Sequence, residues 1–184
     1  KALVRQKPDL DVRLLIWRSP LLIAASQGFY PHKAQRWFRR RIVEFRLDGP
    51  GILGACHHQK VVVIDNQIAF CGGGDISTDR WDTEEHFSGD PRRCEPTGVI
   101  PAPRHEVMCV MDGPAAQALG ELARERWRRA TGEVIAPITA ECADSWPERV
   151  APALTQVSVG ISRTEPQVRG RPEVRENEAL HLEA

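Results

Sequence analysis

No run in this 184-residue chain approaches the roughly 20 apolar residues that a membrane-spanning helix needs. The opening segment, KALVRQKPDL, lacks the apolar core of a signal peptide. It reads as a helix end entering a strand, as though the true start lay further upstream. Net charge is also missing: 25 basic residues balance 25 acidic ones. No global field therefore draws the chain to nucleic acid or to an anionic membrane. A disulfide framework is absent too. The five cysteines (Cys56, Cys71, Cys94, Cys109, Cys142) are odd in number and scattered. Cys56, Cys71 and Cys109 lie in apolar runs and read as small core residues, so a reducing, cytoplasmic setting is expected. His57 and His58 suggest zinc, but neighbours on a strand diverge, and no Cys or His pair at ligand spacing joins them; no metal or cofactor is expected. The length suits one domain with a full core, or a large part of a larger protein.

The elements follow from periodicity. Asp11 to Trp17 reads as a buried strand, and Ser19-Pro20 ends it. Residues 21 to 31 read as an apolar loop or short helix. Lys33 to Arg41 is a short helix whose Arg36, Arg39, Arg40 and Arg41 suit either phosphates or a solvated face, the second being favoured. Ile42 to Leu47 alternates as a strand, and Asp48-Gly49-Pro50-Gly51 turns the chain. Residues 83 to 103 read as a loop that either borders a functional site or, the reading favoured, is a surface excursion; His86 and Cys94 in it have no sequence partner. Arg104 to Met111 is the next strand. A helix then runs to about Ala130, with Asp112 as N-cap, Pro114 in the first turn, and a buried stripe of Ala115, Leu119, Leu122, Ala123, Trp127 and Ala130. Its closing arginines, Arg124, Arg126, Arg128 and Arg129, suit the helix dipole, and Gly132 ends it. Residues 133 to 153 read as a surface linker. Gln156 to Arg163 alternates as a strand, and residues 173 to 184 as the start of a helix. The sum is an α/β unit: one mixed β-sheet of six or seven strands with helices on both faces.

The richest stretch runs from Cys56 to Asp82, CHHQKVVVIDNQIAFCGGGDISTDRWD. It reads as strand, tight turn, strand, glycine turn. On a strand from His58 to Ile64, His58 and Lys60 share one face with Val62 and Ile64, while Gln59, Val61 and Val63 take the other. An imidazole and an ammonium on one face suit an anionic group, as nucleophile or proton carrier and as positive charge. Asp65 falls at the strand end, away from that ligand, and ties down the turn with Asn66. Gly72, Gly73 and Gly74 allow close backbone approach or a positive φ, and Asp75 follows at once.

His58, Lys60, Asp65, Gly72, Gly73 and Asp75 resemble the signature of the phospholipase D superfamily: HxK, four residues, D, six residues, GG, one residue, then N or D. Arg80, Trp81 and Asp82 resemble the RWD continuation of its tandem-motif members. Arg104-His105-Glu106-Val107 stands where those have W-H-D-V, with Arg for Trp and Glu for Asp as departures. Arg163-Thr164 resembles the RT-x-P segment that precedes a second half. The resemblance implies a phospholipase D/nuclease-like fold and a phosphohistidine mechanism without metal. His58 would be nucleophile or general acid, Lys60 and Asp75 would hold phosphate oxygens, and Glu106 would orient the histidine. Asp65, Gly72 and Gly73 would be structural. The substrate implied is a phosphatidylcholine-like lipid, hydrolysed or transferred to an alcohol, with peripheral membrane contact allowed. A nuclease, a cardiolipin-synthase-like transferase, and a non-catalytic domain binding phosphate esters or a partner protein are the alternatives. Only one HxK is present, so the expected partner is a second such half, in the same longer chain or in a homodimer. The chain reads as an N-terminal half cut at both ends, the first of these being favoured.

Overall fold

The computed structural model describes residues 6–20, 30–38, 43–49, 55–95, 97–139, 145–168 and 170–178. Arg39, Arg40, Arg41, Cys142 and residues 21–29 of the loop or short helix expected at 21 to 31 lie outside these residues, as do residues 179–184 of the helix expected at 173 to 184. The element order is β1 (Arg13–Trp17), α1 (Tyr30–Phe38), β2 (Glu44–Asp48), β3 (Lys60–Ile64), β4 (Ile68–Gly72), β5 (Met108–Asp112), α2 (Gly113–Thr131), β6 (Thr164–Glu165) and β7 (Val174–Arg175). Helices combine with parallel and antiparallel strands, so the class is α/β. Among the described residues the strands form three small sheets, β1-β2, β3-β4-β5 and β6-β7, where one sheet was expected.

The chain divides into two compact units. The first comprises residues 1–58, 124–135 and 158–184. In it β1 runs parallel to β2, with Arg13 opposite Glu44 and Trp17 opposite Asp48, and α1 lies in the connection. A parallel pair needs such a crossover. Alternation along β2 buries Phe45 and Leu47, and Phe38 of α1 stacks on Phe45 with ring centroids 5.2 Å apart. Trp127 is the other buried anchor. Its indole N–H donates to Glu133 at 2.9 Å, and the guanidinium groups of Arg13 and Arg46 lie over its ring. Arg126 reaches Asp48 at 2.9 Å, which supplies a structural use for one of the closing arginines of α2. Arg128 and Arg129 share Glu125, whose carboxyl their hydrogen bonds hold down at about 2. The strand expected at Gln156 to Arg163 does not form; residues 157–163 are coil, and the pairing falls later, at β6 and β7. Alternation there had no partner strand to reward it: the residues at 156–161 are exposed.

The second unit comprises residues 59–123 and 136–157. Its centre is the antiparallel sheet β3-β4-β5, with β4 in the middle. Four β-branched residues, Val61 to Ile64, favour the first strand. Asp65 and Asn66 then both take positive φ (52° and 59°), and Gln67 N–H bonds back to Ile64 at 3.0 Å. That is a β-turn with both central residues left-handed, the type I′ geometry that matches strand twist, and Gln67 completes the three-residue connection to Ile68. Val61 and Val63, which share one face as parity expected, pack onto a core of Ala69, Ala116 and Leu119, joined by Cys71, Met111 and Leu122. Val62 and Ile64 are exposed. The first half of α2 therefore covers the odd-numbered face of β3. Cys56 and Cys109, expected in the core, are exposed.

Leu119 is 2% exposed and lies at the centre of this cluster. Leu119→Ala should lower stability by about 2–5 kcal/mol, read as a reduced urea midpoint. Ile76→Ala, at a side chain 92% exposed, should leave the midpoint within error.

Candidate functional site

The strand β3 begins at Lys60, two residues later than expected, so His58 lies in the coil leading into it and is exposed. His58 is the last residue of the first unit's opening segment. Its neighbour His57 contacts Asp48 at 3.4 Å. Lys60 opens β3 opposite Gly72, which is in turn opposite Met108 of β5. The hairpin turn at Asp65-Asn66 is at the other end of the same strand, about 17 Å from Lys60 at ~3.4 Å per residue. Asp65 thus shapes the hairpin from a distance and does not meet what Lys60 meets.

Lys60 is directed at the segment after the glycines. Its ammonium lies 3.4 Å from Asp75, and the side chain as a whole is 12% exposed. Arg80 closes the cluster. One guanidinium nitrogen is 3.3 Å from Asp75, another contacts Asp79, and its Nε is 3.3 Å from Glu106. Arg104 lies 3.9 Å from Asp79. Two cations, Lys60 and Arg80, therefore stand among three carboxylates. Coulomb attraction at such distances holds side chains in register, since the groups are part-shielded from water. The arrangement brings together three of the residues singled out from sequence: Lys60, Asp75 and Glu106. Their connection through Arg80 was missed. Arg80 entered only as part of an RWD pattern, and its spacing from Asp75 carries no periodic signal because the intervening residues form bends and a short 3-10 turn, Thr78–Arg80.

The glycines differ in what they do. A Cβ on Gly72 would collide with the backbone of β5, meeting Met108 Cα at 2.6 Å as well as the Val107 carbonyl. A Cβ on Gly73 would meet the Glu106 carboxylate. Gly74 would meet only the Met108 methyl, at 3.4 Å. Gly72 thus lets two strands approach, while Gly73 makes room for the carboxylate beside it. None of the three needs a positive φ.

The loop at 83 to 103, expected as a surface excursion, is built around a buried cation. Arg93 is 0% exposed. It donates to the carbonyls of Pro101 (3.1 Å), Trp81 (3.2 Å) and Phe87, and to Asp82 at 2.9 Å. Buried charge is tolerated only with such partners. Asp90 starts a second 3-10 turn, Pro91–Arg93, by accepting from Arg92 N–H and from the Arg92 guanidinium, and Arg92 lies 3.9 Å over the Trp81 ring. Arg92 holds the Asp90 carboxyl down at about 2. His86, unpartnered in the sequence reading, contacts Asp82 at 2.6 Å, and this bond depresses the Asp82 carboxyl below its usual range. Asp82 and Trp81 are thereby held in place from the loop side. Among the described residues no group of three or more His, Cys, Asp or Glu side chains is arranged to hold a metal ion.

No family model matches the chain. Curated relatives do. Phospholipase D zeta 1 of Arabidopsis thaliana is 25% identical over 155 residues, covering 68% of this chain and 14% of that protein. Phospholipase D delta of the same plant is 36% identical over 95 residues, 41% of this chain and 11% of that protein. Phospholipase D C of Dictyostelium discoideum is 37% identical over 83 residues, 44% of this chain and 5% of that protein. The chain thus spans a small part, about one seventh or less, of the relatives it matches.

Gly72→Ala should destabilise the protein by about 1–3 kcal/mol, because backbone must move. Gly73→Ala and Gly74→Ala should unfold at nearly the wild-type midpoint, since only flexible side-chain ends must give way. For Asp90 the pH dependence has a definite sign. Its folded-state carboxyl is depressed, so its contribution is present above the unfolded value of about 4 and is lost as pH falls toward about 2. The stability gap between wild type and Asp90→Asn, measured by denaturant unfolding, should therefore be open at about pH 5 and close as the acid range is entered.

Proposed function

We propose, from the premise that the chain belongs to the phospholipase D superfamily, that it supplies one HxK half of a phosphodiesterase site acting on glycerophospholipids. The observation that carries this reading is the cluster of Lys60, Asp75, Arg80 and Glu106, two cations among carboxylates at the glycine end of the hairpin. A phosphodiester brought there meets an ammonium already turned inward. Lys60 then holds its non-bridging oxygens by charge, and Asp75, accepting from Arg80 and paired with Lys60, positions the two cations for that contact. Asp65, Gly72 and Gly73 act by shaping the backbone around them.

His58 is the group of the motif that can form a bond to phosphorus. In the reading advanced here it attacks in line, and the phosphatidyl group passes to its imidazole as the alcohol headgroup leaves. Water, or an acceptor alcohol, then displaces it. Splitting the displacement this way requires a second acid–base group to protonate the leaving oxygen and later deprotonate the acceptor. The chain has one HxK, so that group comes from a second half, in the same longer polypeptide or in a second copy of this one. Glu106 orients the histidine in use by accepting from its far nitrogen, which fixes the tautomer and stabilises the imidazolium. Arg80, bridging Glu106 and Asp75, keeps both carboxylates in place for these roles. The relatives are all named phospholipases D, which favours lipid over nucleic acid. On this reading the chain works in the cytoplasm and meets its lipid peripherally; among the described residues no helix is long and apolar enough to cross a membrane.

The test mixes the chain with a second HxK half and a short-chain phosphatidylcholine, with quenching in base, where phosphohistidine survives. Mass spectrometry should find the adduct on His58, and His58→Ala should remove it and lower turnover more than about a thousandfold. Glu106→Gln should lower kcat by about a hundredfold or more with a smaller effect on KM. Cleavage of DNA without lipid turnover would overturn the lipid assignment. Phosphate-ester binding unchanged by His58→Ala, with no turnover in any assembly, would make the domain a binder.

A further inference from the structure

The motif sheet carries a pair of thiols that the chemistry above does not use. Cys71 of β4 and Cys109 of β5 are direct register partners, so their side chains share one face. The class of pair follows from a neighbouring rung. Gly73 N–H donates to the Val107 carbonyl at 2.9 Å, which puts residues 73 and 107 in the hydrogen-bonded class of opposite pairs. With a period of two, residues 71 and 109 fall in the same class. Cα atoms in such a pair stand about 5.5 Å apart, within the range that disulfides bridge. Their Cβ atoms start about 5 Å apart, wider than the ~3.8 Å a disulfide prefers. Closing the bond must draw β4 and β5 together, and strained disulfides of this kind are the readily reduced ones. Both cysteines are free thiols; Cys109 is exposed, and Cys71 is half-buried against the core of Ala69, Ala116 and Leu119.

We infer that Cys71 and Cys109 form a reversible disulfide site, oxidised by low-molecular-weight disulfides. The exposed Cys109 thiolate attacks one sulfur of the small disulfide, whose S–S bond breaks and releases one small thiolate. Cys71, having lost its proton, attacks the Cys109 sulfur of the mixed disulfide and releases the second small thiolate. Two cysteine thiols are oxidised by two electrons, and one small disulfide is reduced to two thiols that take up the two protons. The order follows from the environment. Burial first, and the nearby Cys109 charge second, push the Cys71 thiol up. Capping Cys109 removes the second effect, so the first step primes the second. The bridge would lie one rung from Gly72 and Met108 and two from Gly73 and Val107. It would therefore pull on the backbone that carries Glu106.

The experiment needs no activity, so its failure is separate from failure of the phosphodiesterase reading. The chain is equilibrated with oxidised and reduced glutathione at graded ratios, quenched in acid, alkylated and mapped by mass spectrometry. Wild type should lose two alkylatable thiols as the Cys71 and Cys109 peptides become joined, and regain both in excess reduced glutathione. Cys71→Ser should instead stop at a glutathione adduct on Cys109. Should Cys71→Ser fail to fold by circular dichroism, the wild-type map decides alone. Persistent alkylation of both cysteines, a lasting adduct on Cys109 in wild type, or pairing of either with Cys56, Cys94, Cys142 or a second chain would overturn the inference.

Discussion

Everything the candidate site does depends on the register of one hairpin. In β3 a shift of one residue would carry Lys60 to the face that packs on α2 and expose Val61 and Val63. Burial of those two valines and the left-handed pair Asp65-Asn66 specify the register from opposite directions. The first is the non-directional apolar term, worth about 1.5–3 kcal/mol for a valine buried completely. The second is a geometric requirement that few residue pairs meet. Together they place the ammonium at the glycine end of the sheet without any contact between Asp65 and Lys60.

Charge is the second constraint. A phosphodiester carries a negative charge, and Asp75, Asp79 and Glu106 would repel it if they stood alone. Arg80, 18% exposed, spans all three. The arrangement lets carboxylates act as hydrogen-bond acceptors and positioning groups beside an anion, which a lysine alone would not allow. The cost of this design is that one cation serves several partners, so the geometry of one carboxylate is tied to that of the others.

Much of this was legible in the sequence where one physical rule acted alone. Parity put Val61 and Val63 on one face of β3 and Val62 and Ile64 on the other, and the first face is the one that packs on the core. Helical spacing found Leu119 and Trp127, although it passed over Ala116, which is fully buried. What escaped were features with no period. Arg93 sits in a stretch rich in proline and arginine, and nothing local marks it as a centre rather than a solvated side chain. Its burial follows from carbonyls contributed by Trp81, Phe87 and Pro101, which only the folded loop brings together. The alternating segment at 156–163 shows the converse error, a strand pattern with no neighbour to pair with among the described residues.

The buried Arg93 also bears on how the sheet is assembled. Between Gly72, the end of β4, and Met108, the start of β5, lie 35 residues. Closing a flexible loop of that length costs about 3 kcal/mol beyond a constant. The β3–β4 hairpin is local and pairs in microseconds, whereas β5 must be found by a long search. Once Arg93 has gathered carbonyls from both ends of its loop, the search covers a much shorter effective chain. The guanidinium thus acts as an internal cross-link without a covalent bond, and the third strand, with the glutamate just ahead of it, arrives at β4 as part of a folded loop rather than as the end of a free one.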